Sequence, residues 1–174
     1  IGYLNQPIYS GSTMIVFPRF DPGQDLQAIE KYEANAIGGA PQLFIPLVNH
    51  PDFKKYNLSS IHLVGSGAAP LPLPVLDQML KSFPGVVAEG YGLTEVTMVS
   101  NYNPPFREGL KVGSVGLPLA DTEIKIVDLE TGTQQMKAGE IGEVCIKGPQ
   151  VMQGYWNKPE ETKHTLRDGW VYTG

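Results

Sequence analysis

The chain has 174 residues, of which 41% are hydrophobic and 18% charged, and its formal net charge is −5. This composition excludes a disordered chain, and the single cysteine excludes an internal disulfide framework and a four-cysteine zinc site. The densest basic points are pairs such as Lys54-Lys55, which argues against nucleic-acid binding. No apolar run approaches the roughly 20 residues of a transmembrane helix, and no secretory signal is recognised. We therefore expect a cytoplasmic, reducing setting.

The first hundred residues alternate between strand-like and helix-like segments. Leu76, Met79, Leu80 and Phe83, for example, recur at the spacing of one helical face. In chain order the pattern predicts a strand at 13–17, helices at 25–33 and 42–49, a strand at 61–64, a helix around 76–83 and a strand at 86–88. Strands alternating with helices favour an α/β fold with a parallel sheet and flanking helices.

The pattern changes after Asn103-Pro104-Pro105, where short alternating segments replace the helices. Residues 123–126 and 143–147 alternate between polar and apolar, which predicts strands. A helix is expected at 159–166 and a further strand at 170–172. We therefore predict an α/β part at residues 1–103 and a smaller β-rich part at 104–174. Cys145 falls inside one of the alternating strands and is expected to be inert.

Two glycine-rich turns follow predicted strands, Gly65-Ser66-Gly67-Ala68-Ala69 and Gly90-Tyr91-Gly92. Ligands of open α/β sheets bind beyond the carboxyl ends of the strands, so the two turns are candidates for one crevice. Glycine lets the backbone approach a flat ring or a phosphate closely. Most glycine turns, however, only reverse the chain.

Tyr91, Thr94 and Glu95 add side-chain chemistry to the second turn. An aromatic ring can stack on a base, a hydroxyl can bond a phosphate, and a carboxylate can hold a magnesium ion. The alternative interpretation is a buried Tyr, a helix-capping Thr and a Glu in the first turn of a helix.

These residues are part of a wider resemblance to the adenylate-forming superfamily, which includes acyl-CoA synthetases, luciferases and peptide-synthetase adenylation domains. The matching blocks, in the order of the family, are 66–71, 91–95, 139–149 with 151–156, 159–162 and 169–174. Within the superfamily, residues 39–44 and 49–51 look most like long-chain fatty acid–CoA ligases. The resemblance implies part of the family's large N-terminal domain, followed by a distorted, barrel-like β-rich subdomain.

The resemblance also implies a two-step reaction. A fatty carboxylate attacks the α-phosphate of Mg-ATP to give acyl-adenylate and pyrophosphate, and the thiol of CoA then displaces AMP. Fatty acid, ATP and CoA are the implied substrates, with Mg²⁺ as the metal. A homodimer and a peripheral membrane association are compatible with this class, and a nucleic-acid partner is not expected.

The family's site residues can be carried over by motif. Thr94 and Glu95 are the implied catalytic pair, Thr94 as donor to the α-phosphate and Glu95 as magnesium ligand. The implied nucleotide-binding residues are Gly67, Ala68, Glu89, Gly90, Tyr91, Gly92 and Thr94, with Tyr91 stacking on the adenine. Leu43, Phe44, Leu47 and Val96 are candidates for an acyl channel, or are plain core.

Other functions stay open at this point. A ligase or adenylation domain for an aryl, short-chain or amino acid would carry the same nucleotide motifs. A non-catalytic nucleotide-binding module would keep the fold without the chemistry. The phosphate loop with its Lys, the ribose-binding Asp and the C-terminal lid with its Lys are expected in the family and are not found in the sequence. We therefore expect the chain to be a middle piece of a longer enzyme, inactive by itself.

Overall fold

A computed structural model describes residues 2–104, 106 and 110–174. Pro105, part of the predicted boundary, lies outside the described residues. The helices are α1 Gly2–Ser10, α2 Pro22–Tyr32, α3 Pro41–Val48, α4 Leu73–Ser82 and α5 Pro159–Thr165. The strands are β1 Ala36–Gly39, β2 Leu63–Ser66, β3 Val86–Tyr91, β4 Asn101–Tyr102, β5 Leu117–Pro118, β6 Glu123–Val127, β7 Glu143–Lys147, β8 Leu166–Arg167 and β9 Trp170–Tyr172. No helix within the described ranges has the length and apolar character needed to cross a bilayer.

The chain forms two compact units that exchange segments. The first unit comprises Ile1–Tyr91 and Tyr102–Leu117, and the second comprises Gly92–Asn101 and Pro118–Gly174. The single boundary predicted near residue 104 therefore differs from this division. Hydrogen bonds explain the exchange, because Asn103 N–H donates to Glu89 O within the first unit and Leu119 N–H donates to Ser100 O within the second.

The five-stranded sheet has the order β1-β2-β3-β4-β5, and strands β1, β2 and β3 lie wholly in the first unit. Its first three strands are parallel, with Gly39 opposite Ser66 and Ser66 opposite Glu89. The predicted parallel sheet is confirmed for these three strands, within a sheet that is mixed overall, and their carboxyl ends lie at one edge. Parallel strands need crossover connections, which α3 and α4 supply here.

Helix α2 shows why the sequence folds this way locally. Asp21 precedes the helix, and its carboxylate accepts the Gln24 N–H at 2.9 Å. Pro22 then occupies the first helical position, where the missing N–H costs nothing. The helix ends at Glu33, which takes the left-handed conformation with φ 50°.

The core of the first unit lies between the sheet and its helices. Leu26 and Ile29 of α2 are buried, whereas Tyr32 at the end of the helix is 57% exposed. Phe83 packs edge-on against Phe53, with ring centroids 5.7 Å apart. The other buried members are Phe44, Leu47, Val48, Leu58, Ile61, Val64, Leu71, Leu76, Met79 and Val87.

One sequence prediction fails in the first unit, and one strand was missed. Residues 13–17 form no strand, and Val16 is 79% exposed. Their β-branched side chains line a cavity instead of a sheet. Strand β1 was not predicted, because Gly38 and Gly39 lower the strand propensity of a segment that the sheet nevertheless pairs with β2.

The second unit is built on an antiparallel sheet in the order β6-β7-β9-β8. Lys125 lies opposite Cys145, and Cys145 lies opposite Tyr172, so these three side chains share one face. The neighbouring residues Ile146 and Val171 are fully buried on the other face. The sheet formed by the described strands is open, so the predicted barrel-like closure is not confirmed.

Candidate functional site

The two glycine turns lie side by side at the edge of the parallel sheet. Gly67 follows β2, and its N–H donates to the carbonyl of Gly39 at 3.2 Å. A Cβ at Gly67 would lie 3.3 Å from the carbonyl oxygen of Gly90, near the end of β3. Ala68 has a φ of 67°, in the left-handed region, so the chain turns sharply there. The predicted proximity of the turns is therefore present in the first unit.

Glu89, Gly90 and Tyr91 form the end of β3 and are half-buried. The carbonyl of Glu89 accepts hydrogen bonds from both the backbone and side-chain nitrogens of Asn103. Burial raises the pKa of the Glu89 carboxyl, and a hydrogen bond from the Leu71 backbone partly opposes that shift. This stretch is held firmly by the sheet, so its side chains have defined positions.

Gly92 begins a turn that reverses within a few residues. Met98 N–H donates to Leu93 O at 3.1 Å, and Thr97 and Met98 adopt φ values of 53° and 91°. A Cβ at Gly92 would overlap the carbonyl oxygen of Met98. Only glycine fits at this position, so the motif's second glycine is required by close backbone packing within the turn.

Thr94 and Glu95 lie on the single helical turn Thr94–Val96 of the second unit. Leu93 holds the N-cap position, and no side chain caps the turn, so Thr94 does not take the capping role of the alternative interpretation. Thr94 is exposed and Glu95 is half-buried. Val96, a candidate for the acyl channel, is fully buried.

The Glu95 carboxylate is held by a tyrosine from a distant part of the second unit. Tyr155 O–H donates to Glu95 Oε1 at 2.6 Å. This hydrogen bond is the main cause of a raised pKa for the Tyr155 phenol. Sequence analysis did not assign Tyr155 to the site, although it stands in a block, 151–156, that carries the family resemblance. The block that contains Tyr155 can be recognised in the sequence, but the hydrogen bond between Tyr155 and Glu95 cannot be predicted from it.

Glu95 fits a magnesium site of the kind that nucleotides complete. Mg²⁺ is usually held by one or two carboxylates together with phosphate oxygens and water. No cluster of three or more His, Cys, Asp or Glu that could form an all-protein metal cage occurs in the part of the chain that the structure describes. A single half-buried carboxylate is consistent with a metal that arrives with a phosphate ligand.

A cavity of about 750 Å³ opens in the first unit. Leu43, Phe44 and Leu47 of α3, three of the acyl-channel candidates, contribute to its wall. Phe44 and Leu47 are also buried in the core, as the plain-core interpretation predicts, and their role in an acyl channel stays a prediction. The wall also includes Ile15, Val16 and Phe17. The lining is mainly apolar and suits a hydrocarbon better than a charged ligand.

The predicted nucleotide residues thus fall into two groups that follow one another in the chain. Those in the first unit are Gly67, Ala68, Glu89, Gly90 and Tyr91, and those in the second are Gly92, Thr94 and Glu95. Each group has a defined local geometry: two adjacent turns at a sheet edge in the first, and a tight turn with an anchored carboxylate in the second.

Comparison with known proteins identifies the family of the chain. The AMP-binding enzyme family matches residues 1–156. A long-chain-fatty-acid–CoA ligase from Bacillus subtilis is 44% identical over 171 residues, covering 98% of this chain and 30% of that protein. 4-Coumarate–CoA ligase 2 from Oryza sativa subsp. japonica is 37% identical over 172 residues, covering 96% of this chain and 30% of that protein.

Solved structures show the same fold. The crystal structure of ATP-bound MatB from Rhodopseudomonas palustris superposes with a TM-score of 0.88 at 34% identity, covering 98% of this chain and 33% of that one. The chain belongs to the AMP-binding enzyme family. It spans about 30% of the length of the Bacillus subtilis and Oryza sativa ligases.

Proposed function

We propose that this chain is a segment of an ATP-dependent long-chain fatty acid–CoA ligase. The observation that carries the proposal is the turn at Gly92–Glu95, which directly follows a strand of the parallel sheet and presents an exposed hydroxyl and an anchored carboxylate. The long-chain-fatty-acid–CoA ligase of Bacillus subtilis, at 44% identity, supports the choice of acid.

In the proposed reaction, the fatty carboxylate attacks the α-phosphate of ATP and expels pyrophosphate, and the CoA thiol then displaces AMP. The turns at Gly67-Ala68 and Glu89-Gly90 supply backbone walls beside the adenine, on which Tyr91 stacks. Glycine matters at 67 and 90 because it leaves room for a flat ring against the backbone. The ATP-bound state of the structurally similar MatB supports ATP as the nucleotide.

Thr94 and Glu95 act at the α-phosphate of ATP, where negative charge develops during the reaction. The Thr94 hydroxyl donates a hydrogen bond to the α-phosphate, and the backbone at Gly92 keeps the turn narrow enough to present it. Glu95 holds Mg²⁺, which supplies positive charge to the phosphate oxygens when bound. Donors and positive charge at a phosphorus centre stabilise the transition state more than the ground state.

The apolar cavity of the first unit is our candidate for the acyl chain. Leu43, Phe44 and Leu47 already present a hydrocarbon wall there. The proposed setting is the cytoplasm, with peripheral membrane contact and homodimer formation compatible with a lipid substrate. An aryl acid is the second candidate substrate, because 4-coumarate–CoA ligase 2 is 37% identical over almost the same range.

The proposal is tested by ATP–pyrophosphate exchange in the full-length protein with Glu95→Gln. Gln preserves size and removes the charge that holds the metal. A metal ion contributes several kcal/mol at a phosphoryl centre, and about 1.36 kcal/mol corresponds to tenfold in rate, so we expect a loss of at least about 100-fold. The exposed Glu130→Gln variant is the matched control and should retain activity.

The same assay, run with a panel of acids, tests the substrate. Fatty acids of long chain should support exchange, and 4-coumarate should not. Exchange with 4-coumarate and not with fatty acids would show that the substrate is an aryl acid instead of a long-chain fatty acid. Full activity of Glu95→Gln with normal magnesium dependence would return Glu95 to a purely structural role.

A further inference from the structure

We infer that Tyr155 is a positioning residue that orients the Glu95 carboxylate for the metal ion. The inference rests on the proposed function, in which Glu95 is the metal ligand. It adds a residue that lies 60 positions away in sequence, in the connection between β7 and α5. The evidence is the geometry that joins the two segments.

The contact between the two side chains is short and directed. Tyr155 O–H donates to Glu95 Oε1 at 2.6 Å, the length of a strong hydrogen bond to a carboxylate. Both residues are half-buried, so water competes less for the bond than it would at an exposed surface. A carboxylate has two oxygens and about four acceptor sites, so this bond is compatible with metal coordination.

The backbone around Glu95 is bonded to the same segment. Met152 N–H donates to the carbonyl of Glu95 at 2.8 Å. Thr97 Oγ1 donates to the carbonyl of Gln150 at 2.6 Å. Three hydrogen bonds therefore fix the 94–97 turn against residues 150–155. Of these, the bond from Tyr155 is the one made to the Glu95 carboxylate.

Tyr155 is itself held in place by helix α5. Its N–H donates to Thr162 Oγ1 at 2.9 Å, and Thr162 Oγ1 donates to the carbonyl of Lys158 at 2.8 Å. Gly154 has a φ of 147°, and a Cβ there would lie 2.8 Å from Thr162 Cγ2. Glycine at 154 therefore lets the chain pass close to Thr162, which in turn fixes the backbone from which the phenol extends.

The expected consequence is a preoriented metal ligand. A glutamate side chain has several rotamers, and a hydrogen bond to one oxygen restricts them before the metal binds. Loss of such outer partners of a ligating group typically weakens metal affinity about 10–100-fold. Tyr155 touches neither substrate nor metal in this scheme, so it positions and does not catalyse.

The test is Mn²⁺ binding to the full-length protein with ATP present, measured from the electron paramagnetic resonance signal of free Mn²⁺. Tyr155→Phe removes only the hydroxyl and should raise the Mn²⁺ dissociation constant about 10–100-fold. ATP binding without metal and the thermal unfolding midpoint should stay unchanged. Tyr9→Phe, the same change at a 96% exposed residue, is the control.

Comparison with Glu95→Gln separates this inference from the proposed function. If both hold, Glu95→Gln weakens Mn²⁺ binding at least as much as Tyr155→Phe does, and adding Tyr155→Phe to it changes nothing further. Normal Mn²⁺ affinity in Tyr155→Phe, with a loss in Glu95→Gln, would overturn the inference and leave the proposed function intact. Normal affinity in Glu95→Gln would overturn both.

If Tyr155→Phe lowers the unfolding midpoint, a second pair of variants separates an effect on the orientation of Glu95 from an effect on stability. Thr162→Val removes the hydroxyl that holds the Tyr155 backbone, and Thr162→Ser keeps it. The inference expects weaker Mn²⁺ binding in Thr162→Val than in Thr162→Ser. Equal Mn²⁺ affinity in these two variants would overturn it.

Discussion

Cys145 lies in the middle of β7 and has no exposed surface. Lys125 and Tyr172 lie opposite it on the same face of the sheet. Burial raises the pKa of this thiol to about 11, with Glu143 adding a smaller contribution. The thiolate is the reactive form of cysteine. The Cys145 side chain is therefore unreactive for two reasons: reagents cannot reach it, and it stays protonated.

We therefore predict that the folded chain reacts with a disulfide reagent such as dithionitrobenzoate at least about 100-fold more slowly than the same chain in urea, because buried structural cysteines are inert. The absorbance of the released thiolate at pH 8 measures both rates. Cys145→Ala should show no reaction, since the sequence has one cysteine. Immediate labelling of the folded chain would contradict the burial of Cys145.

At the level of single residues, the sequence identified the motif residues but not their partners. Tyr91, Thr94 and Glu95 were recognisable because their chemistry is concentrated within five positions. The bond between Tyr155 and Glu95 depends on how β7, α5 and the 94–97 turn pack, which no local pattern encodes. The requirement for glycine at 92 likewise comes from a contact with Met98 that only the folded turn creates.

The connection after β6 is organised by one carboxylate. Asp128 accepts backbone hydrogen bonds from Thr131, Thr133 and Gln134 at 2.7, 3.0 and 2.8 Å. These bonds favour the charged form and hold the pKa of Asp128 well below its usual range. The carboxylate thus provides hydrogen-bond acceptors for the backbone N–H groups of this loop, as a capping residue does at the end of a helix.

The pH dependence of stability follows from that depressed pKa. The contribution of Asp128 is fully present above the unfolded value of about 3.9, and it is lost as the pH falls from there through the folded value. We expect Asp128→Asn to lower the thermal midpoint at pH 7, and the difference from the parent should shrink progressively below about pH 4. Circular dichroism melts across that range measure it.

Asp77→Asn is the matched control for this experiment. Asp77 pairs with Lys81 at 2.6 Å on the exposed face of α4, and an exposed ion pair contributes little. Its midpoint should stay close to that of the parent at every pH. A constant difference between Asp128→Asn and the parent down to about pH 2 would show that charge is not what the loop requires.

At the level of elements, periodic segments were predicted well and glycine-rich ones poorly. Helices α2 and α4 and strands β6 and β7 have clear periods, and each lies within a few residues of its predicted position. Strand β1 lacks such a period because two of its four residues are glycine. Residues 13–17 have the composition of a strand, but they pair with no strand that the structure describes and line a cavity instead.

The whole chain provides only part of what the proposed reaction needs. We predict that the 174 residues alone form no fatty acyl-CoA and bind Mg-ATP at most weakly. Immobilising a ligand costs roughly 4–15 kcal/mol, and a partial site has fewer contacts to offset that cost. Isothermal titration calorimetry with Mg-ATP measures the affinity, and micromolar binding would show that the nucleotide site is more local than proposed.

The exchange of segments between the two units has a consequence for synthesis on the ribosome. The first unit includes residues up to Leu117, but residues 92–101, which belong to the second unit, emerge before that point. Once Leu117 has emerged all residues of the first unit are present, whereas residues 92–101 still lack the rest of their own unit, residues 118–174. The second unit closes only when β9 at 170–172 has been translated. Neither unit is encoded by one uninterrupted stretch of codons, so a truncation after Leu117 keeps the whole first unit but also keeps residues 92–101 of the second, and no truncation isolates one unit free of segments of the other.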